Sequence, residues 1–409
     1  MVNEYFEFIK YAGTLEYYLY ELANFSFLGL LLLFTYRLHY INSTSLFVWL
    51  GIFSTPLFFN YLLIEPGLFG DQFQYAAEVM SLKSSGISID PIRNTAEGYE
   101  LDEKIFWGVF HPITFSVKIL GLTPLPNYMT VTSLAFANKL FLFITFLWFK
   151  RFFKDENKVL IFFLVPSMIL YSSLALRDTL IIIISLIFII NLIRGNYIVS
   201  LVLLYPLFIL KIQMFLVFSL YFIAKLLFQA HKYQTMFLIF LLAILFGGFI
   251  LEEELLALLN MYRMGFAAED FNVGDGASSY AAWALYGEDL GLSLQLQSFP
   301  EAILTSLLRL PEFLLLPMPW NWSNIFYPIQ TIESCLLIYL LYRITIQGKL
   351  FYNQEFILLL FILLVGMSMY ALVMANEGTF VRYRFTMFYP VLLAAFYLAN
   401  HSTRKLKLN

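Results

Sequence analysis

The chain is poor in charged side chains. Of its 409 residues only 13% are Asp, Glu, Lys or Arg, whereas 60% are hydrophobic and 19% are aromatic. A soluble globular domain carries roughly 25% charged residues, so this composition excludes the ordinary soluble classes and is typical of a polytopic membrane protein. The net charge of -3 leaves no broad basic surface. We therefore expect no nucleic-acid partner.

Cysteine and histidine are scarce as well. The single Cys335 excludes a disulfide within the chain, and the four histidines form no cluster with the spacing of metal ligands. The sequence also lacks a GxxxxGK[ST] loop and a GxGxxG motif after a strand, which argues against a nucleotide-driven pump and a Rossmann enzyme. No basic segment with a cleavage site opens the chain, so we expect insertion through its own spans.

Long apolar runs are what the chain does contain. A helix needs roughly 20 apolar residues to cross the hydrocarbon core, and on that criterion the sequence predicts an all-α bundle of about eleven spans in a single transmembrane domain, residues 1–409. The spans lie near residues 18–36, 46–64, 131–149, 159–176, 179–193, 197–210, 212–228, 236–251, 329–342, 356–374 and 386–398.

The distribution of Lys and Arg predicts the orientation. Short basic loops stay in the cytoplasm, and the clusters at residues 150–158 and 404–407 belong to one set of alternate loops. The other set contains two long acidic loops, residues 65–130 and residues 252–328, which we place outside together with the N-terminus. Each outer loop is expected to contain an interfacial helix, one broken at Pro112 and one at Pro311. A true membrane span is the alternative for both.

Two very short turns between apolar runs carry charges. Arg177 and Asp178 form one turn, and Lys211 alone forms the other. A charge near the hydrocarbon costs at least about 2.5 to 3.5 kcal/mol unless it meets a partner or water. Spans of about fifteen residues reach only some 22 Å, so both turns are predicted to line a sunken, phosphate-binding recess. Alternatively, Arg177 and Asp178 neutralise each other, or Arg177 meets lipid headgroups.

A third cationic group precedes the last span. Arg382, Tyr383 and Arg384 are predicted to lie in the outer turn formed by residues 376–384. The planar fork of arginine suits bidentate contact with phosphate, and the tyrosine ring between the two suits packing on a sugar. The alternative is an aromatic and basic anchor at the headgroups.

The first outer loop supplies a candidate general base. Asp71 is placed to accept the proton of a sugar hydroxyl, and Tyr75 and Glu78 fall on roughly the same face if this segment is helical. A solvated loop acid is the alternative.

Further candidates lie around the ninth span. Trp320 and Trp322 are predicted either to stack on carbohydrate or to anchor the interface. Glu333 is an acid inside a span, and such residues are by default candidates for a functional site or an ion pair. Its predicted partner is Lys139.

With these residues in place, the chain resembles the polyprenyl-phosphate-sugar-dependent membrane glycosyltransferases of the C fold and the related O-antigen and exopolysaccharide polymerases. Asp71 and Tyr75 match the Asp-x-x-x-Tyr form in which an acid of the first outer loop acts on the acceptor hydroxyl. Pro166-Ser167 followed by Leu176-Arg177-Asp178, and the Arg382-Tyr383-Arg384 segment leading to Pro390, are similar to recurrent turns of such enzymes.

The chain also departs from members of this group. It lacks an Asp-x-Asp metal motif near Asp71, so neither a divalent metal nor any other cofactor is expected. It lacks an outer-loop histidine beyond His111 of the kind found in O-antigen ligases. Polymerase and single-sugar transferase stay as alternatives.

The resemblance implies a glycosyltransferase or glycan polymerase of the bacterial inner membrane, with a cytoplasmic C-terminus. It would transfer sugar from a polyprenyl-(pyro)phosphate donor to a surface-glycan acceptor at the extracytoplasmic face. Its expected partners are membrane lipid, the lipid-linked sugar, the acceptor and envelope-assembly proteins. A transporter or flippase of lipid-linked glycan, or of another anion, is the alternative. A structural assembly subunit is the third reading.

Overall fold

Helices form the regular structure of the described chain. The computed structural model describes residues 14–59, 75, 112–128, 130, 132–229, 252–257, 259–260, 296–315, 326–373 and 377–406. These ranges contain no β-strand, so the all-α class is confirmed for them. The chain divides into two units, Met1–Ile187 with Tyr205–Ile212 and Phe188–Leu204 with Gln213–Asn409. A single transmembrane domain stays a prediction.

The first unit is built around one central helix. Its described helices are α1 (Leu15–Arg37), α2 (Ser43–Phe58), α3 (Pro112–Gly121), α4 (Ser133–Phe149), α5 (Glu156–Phe163) and α6 (Pro166–Ser172). Helix α4 packs against each of the other five, which makes it the core of the unit. Three of the helices begin at a polar side chain that accepts a hydrogen bond from the first turn, namely Thr14, Asn42 and Asp155.

Aromatic rings fill the space between α2, α4 and α5. The ring of Trp49 on α2 lies 5.0 Å from that of Phe143 and 5.4 Å from that of Phe146, both on α4. Phe163 on α5 completes the cluster at 6.0 Å from Trp49. Offset and edge-on aromatic pairs add about 0.5 to 1.5 kcal/mol each to the burial of their area. This cluster fixes α4 against its neighbours.

Helix α1 is arranged in the opposite way to a helix of a soluble protein. It buries Glu21 and Asn24 against the unit and exposes Leu30, Leu33 and Phe34, which are 66%, 51% and 61% accessible. In water such a face would be unfavourable, whereas hydrocarbon accepts leucine and phenylalanine and excludes the acid. The described face of α1 therefore fits contact with lipid.

The predicted span 159–176 is wrong as one continuous helix. Helix α5 ends at Phe163, Val165 is extended, and α6 begins at Pro166 and ends at Ser172. Proline has no backbone N–H and disfavours helical conformation in the residue before it, which explains the break. Residues 173–177 are not helical. Helices of 8 and 7 residues are each far too short to cross a bilayer.

Three apolar helices follow this break. They are α7 (Asp178–Ile193), α8 (Tyr197–Leu210) and α9 (Ile212–Gln229), and each agrees with a predicted span within a few residues. Helix α7 ends at Ile193, and two residues later Gly195 has φ of +81°. Its N–H donates to the carbonyl of Leu192 at 3.1 Å. Glycine adopts this left-handed backbone without strain, so it ends the helix.

The second unit contains four more long helices: α10 (Phe299–Leu315), α11 (Phe326–Gln347), α12 (Gln354–Val373) and α13 (Glu377–Leu406). Helix α13 packs against the other three, and α10 packs chiefly on α12. A short turn of 3₁₀-helix, Leu350–Tyr352, connects α11 to α12.

Two expectations about this part of the chain are wrong. Helix α10 continues through Pro311 instead of breaking there. One proline removes a single backbone hydrogen bond, and buried Ala302 and Phe313 hold the helix on both sides of it. Residues 377–384 are not a turn, because α13 begins at Glu377. Arg382, Tyr383 and Arg384 therefore lie on a helix.

Four described helices are long and apolar enough to cross a membrane: Leu15–Arg37, Ser133–Phe152, Tyr327–Gln347 and Gln354–Leu372. Shorter apolar helices are Ser43–Phe58, Asp178–Ile193, Tyr197–Leu210 and Ile212–Leu227. All eight coincide with predicted spans, which supports integration into a membrane. Residues 236–251, a further predicted span, lie outside the described residues. The total of eleven spans stays a prediction.

Candidate substrate-binding site

The predicted site residues fall into three groups. Asp71, Glu78, Trp320 and Trp322 lie outside the described residues. Tyr75, Arg177, Asp178 and Lys211 belong to the first unit, and Glu333, Arg382, Tyr383 and Arg384 belong to the second. Convergence of the two described groups on one recess stays a prediction. Each group is built from its own elements below.

Arg177 and Asp178 stand where the irregular segment 173–177 meets α7. The carbonyl of Arg177 accepts a hydrogen bond from the N–H of Ile181 at 3.1 Å, so Arg177 is the residue that precedes the first full turn. Asp178 is the first residue of α7 and is 1% exposed. A carboxylate there is favourable because the helix N-terminus carries partial positive charge. Arg177 itself is half-buried.

The segment before Arg177 is buried although it is not helical. Residues 173–176 are all buried, and buried backbone groups need hydrogen-bond partners. Asn138 on α4 supplies two of them, since its Nδ2 donates to the carbonyls of Leu174 and Leu176, each at 2.9 Å. Asn138 was not among the residues predicted from the sequence to belong to the site. The sequence did contain an indication of its role, because Asn138 and Lys139 are adjacent polar residues within an apolar run.

Lys139, the next residue of α4, acts on the end of α6. Its Nζ donates to the carbonyl of Ile169 at 3.0 Å and to the hydroxyl of Ser172 at 2.7 Å. The side chain is 0% exposed, and within the part of the chain that the structure describes it forms no ion pair. Its predicted partner Glu333 belongs to the other unit, so that pairing stays a prediction. Ser173 extends the network to α2 through Thr55, 2.7 Å away.

Lys211 is the single residue between α8 and α9. Its backbone N–H donates to the carbonyl of Leu207 at 2.9 Å, which continues the pattern of α8 by one bond. The residue is only 6% exposed. An ammonium at such a place needs an oxygen partner, because taking it from water costs several kcal/mol. The first unit thus holds three partly or fully buried basic side chains, those of Arg177, Lys211 and Lys139.

Tyr75 is 3% exposed and belongs to the first unit. Since Asp71 lies outside the described residues, the relation between this acid and Tyr75 stays a prediction.

The segment between α3 and α4 is held to α1 by a pair of amides. Asn127 donates from Nδ2 to the carbonyl of Tyr20 at 2.7 Å, and Asn24 donates to the carbonyl of Asn127 at 3.1 Å. Tyr128 hydrogen-bonds with Thr123 in the same segment. Burial raises the pKa of Tyr128, so its hydroxyl stays a hydrogen-bond donor at neutral pH.

Arg384 has a structural role that the sequence did not reveal. It is 6% exposed, and its Nη1 donates to the carbonyls of Leu314, at 3.0 Å, and Phe313, at 3.4 Å. These carbonyls belong to the C-terminal part of α10 as the structure describes it. Tyr383 is half-buried, and its ring packs on that of Tyr370 at 5.3 Å. Arg382 is half-buried beside them.

Glu333 lies inside α11 and is 5% exposed. Tyr389 on α13 is close enough for the carboxylate to act on it electrostatically. An acid at this depth belongs to the small class of intramembrane carboxylates that structural apolar packing does not explain.

A largely buried ion pair was also missed. Lys225 on α9 contacts the carboxylate of Glu355 at the start of α12, with the lysine side chain 3% exposed and the glutamate side chain 30% exposed. The sequence does not predict this pair, because Lys225 and Glu355 each stand near the edge of an apolar run and are 130 residues apart in the chain.

Among the described residues, no group of three or more His, Cys, Asp or Glu side chains is arranged to hold a metal ion. Comparison of the chain with family models, curated proteins and solved structures finds no match.

Proposed function

We propose that the protein is an integral membrane glycosyltransferase or glycan polymerase. It transfers sugar from a polyprenyl-(pyro)phosphate donor to a surface-glycan acceptor at the extracytoplasmic face of a bacterial inner membrane. It acts without a cofactor. The N-terminus lies outside and the C-terminus in the cytoplasm, and envelope-assembly proteins are its partners.

The observation that carries the proposal is the buried cationic set of the first unit. Arg177 is half-buried at the start of α7, and Lys211 is 6% exposed between two apolar helices. Ordinary structural packing in a bilayer avoids such charges because of their cost. A phosphate attached to a long hydrocarbon tail is a ligand that meets buried cations while its tail stays in lipid.

The chemistry follows from these residue types. A hydroxyl oxygen of the acceptor attacks the anomeric carbon of the donor sugar and passes its proton to the carboxylate of Asp71. The bond between that carbon and the phosphate oxygen breaks, and its electron pair leaves with the polyprenyl (pyro)phosphate. Arg177 and Lys211 stabilise the negative charge on the leaving group, and arginine does so through two parallel N–H donors.

Two measurements on the full chain test this proposal together: transfer of sugar to the acceptor and binding of the polyprenyl donor. The wild-type protein in liposomes should move radiolabelled sugar from a polyprenyl diphosphate donor to acceptor glycan. Asp71→Asn should abolish transfer yet keep donor binding, because the base is lost while the cations remain. Asp155→Asn is the matched control, since Asp155 caps α5 and asparagine caps a helix equally well. Equal transfer by the Asp71→Asn and Asp155→Asn proteins would contradict the proposal.

A transporter or flippase of lipid-linked glycan is the second candidate, and the break between α5 and α6 is the observation that favours it. Interrupted helices with irregular backbone at membrane depth are characteristic of transporter substrate sites. The same assay separates the two functions. A flippase moves the intact donor across the bilayer and leaves the bond between sugar and phosphate unbroken.

A further inference from the structure

The irregular segment between α6 and α7 ends at Arg177, and helix α4 contacts it and the end of α6 with two neighbouring side chains. Asn138 and Lys139 are the sixth and seventh residues of α4, about 8 to 9 Å from its N-terminal end at 1.5 Å per residue. Together they contact oxygen atoms of Ile169, Ser172 and the carbonyls that follow.

Lys139 makes its contacts at the end of α6. The carbonyl of Ile169 accepts a hydrogen bond from the backbone N–H of Ser173 at 3.1 Å, and Nζ of Lys139 is a further donor to the same oxygen at 3.0 Å. Asn138 then satisfies the carbonyls of Leu174 and Leu176 in the stretch that follows. In this way an irregular backbone becomes tolerable at membrane depth.

Stability alone does not account for Lys139. A fully buried ammonium is costly to desolvate, and apolar residues of similar volume often serve a core equally well or better. Methionine would fill the same space without a charge. What methionine would not do is fix the position of Ile169 and Ser172, and through them the five residues that end in Arg177.

We propose that Asn138 and Lys139 are positioning residues for Arg177. They hold residues 169–177 in one conformation, and that conformation presents the guanidinium of Arg177 to the phosphate of the donor. That Arg177 binds the phosphate of the donor rests on the proposed function. That Asn138 and Lys139 fix the conformation of residues 169–177 does not.

The first arm of the test needs no substrate. A nitroxide spin label is attached at Arg177→Cys in a Cys335→Ser background, with the full chain in nanodiscs. Asn138→Leu should change the spectrum from immobilised to mobile, because two hydrogen bonds to the segment are lost. Thr145→Val is the matched control on α4, since the Thr145 hydroxyl bonds only to the carbonyl of Phe141 in its own helix. It should leave the spectrum unchanged.

The second arm measures binding of a long-chain polyprenyl phosphate in chains that keep Arg177. Asn138→Leu should weaken binding by about tenfold, the equivalent of one to two lost hydrogen bonds. Adding Asn138→Leu to Arg177→Gln should weaken it no further, because the guanidinium that Asn138 positions is already absent. Ser172→Ala is a milder variant for use if Asn138→Leu does not fold. It removes the hydroxyl that accepts a hydrogen bond from Lys139.

An immobilised label in both Asn138→Leu and Ser172→Ala would overturn the inference. So would additive losses of binding in the double variant, since Asn138 would then act by another route. If the unsubstituted chain binds no polyprenyl phosphate, the proposed function fails, and the spin-label arm still decides whether α4 holds the segment.

Discussion

The guanidinium of Arg384 lies 3.0 Å from the carbonyl oxygen of Leu314 on α10. This contact joins α13 to α10 through a charged donor. Arg384 was predicted from the sequence to bind phosphate, but in the structure it hydrogen-bonds to α10. A single substitution can separate these two roles, phosphate binding and stabilisation of the fold.

We expect Arg384→Met to lower the free energy of unfolding by about 1.5 to 3 kcal/mol, because the α10 carbonyls lose a charged donor. Thermal unfolding of the full chain in detergent measures the change. Arg343→Met is the control, since Arg343 is exposed on α11 and should shift the transition little. If Arg384→Met kept the stability of the unsubstituted chain but lost phosphate binding, the structural role would be contradicted and Arg384 would be a phosphate-binding residue.

The turn after α11 passes very close to α13 at Gly348. A Cβ atom at this position would lie 2.6 Å from the Cβ of Ala399 and 2.9 Å from the carbonyl oxygen of Ile344. Gly348→Ala should therefore destabilise the protein by about 1 to 3 kcal/mol, the usual cost of overpacking.

Gly29→Ala is the matched control, because a Cβ at Gly29 meets nothing within 4 Å. Within α1 the alanine should be neutral or stabilising by up to about 1 kcal/mol, since alanine favours helix more than glycine. Melting temperatures of the two variants in one detergent decide the matter. Similar shifts in both would show that α13 does not approach Gly348 as described.

Removing one partner of the Lys225–Glu355 pair should lower the free energy of unfolding more than removing both charges. Lys225→Met leaves a partly buried carboxylate without its cation. Because Glu355 is 30% exposed, we expect a loss of about 2 to 3 kcal/mol. Lys225→Met with Glu355→Gln should regain much of that loss. Equal destabilisation in the single and double variants would mean that the pair has no such coupling.

The single Cys335 tests whether α11 lies in the membrane. It is an exposed side chain of the described structure, and it stands nine residues, about 14 Å, from the start of the helix. If lipid covers this face, a membrane-impermeant maleimide should not react with Cys335 in intact vesicles. The same reagent should react after denaturation in detergent.

Tyr352→Cys in a Cys335→Ser background serves as the control for that experiment. Tyr352 is 90% exposed in the short turn after α11, so its cysteine should react in vesicles opened to the reagent on both sides. Rapid labelling of Cys335 itself in intact vesicles would place this face of α11 in water.

The sequence allowed the positions of most helices to be predicted. Apolar runs such as 179–193 and 212–228 agree with α7 and α9 because length and hydropathy suffice to define a helix in lipid. The break at Pro166 was missed, since hydropathy continues across it while the backbone does not. The effect of Pro311 was overestimated, because packing on both sides of that residue holds α10 together.

The site was harder to predict than the helices. The structure buries Lys211 and leaves Arg177 half-buried, and a common recess lined by both turns stays a prediction. The contacts of Asn138 and Arg384 with backbone carbonyls join residues that lie 36 to 71 positions apart in the chain. Sequence patterns carry little information about such long-range hydrogen bonds.

Binding of a long-chain polyprenyl phosphate to the full chain in nanodiscs tests the central claim most directly. Arg177 and Arg194 flank opposite ends of α7, so Arg177→Gln and Arg194→Gln form a matched pair. The account predicts binding of the phosphate but not of the corresponding alcohol, a loss of about tenfold or more in Arg177→Gln, and none in Arg194→Gln. Equal affinity for phosphate and alcohol, or equal affinity in the two variants, would contradict it.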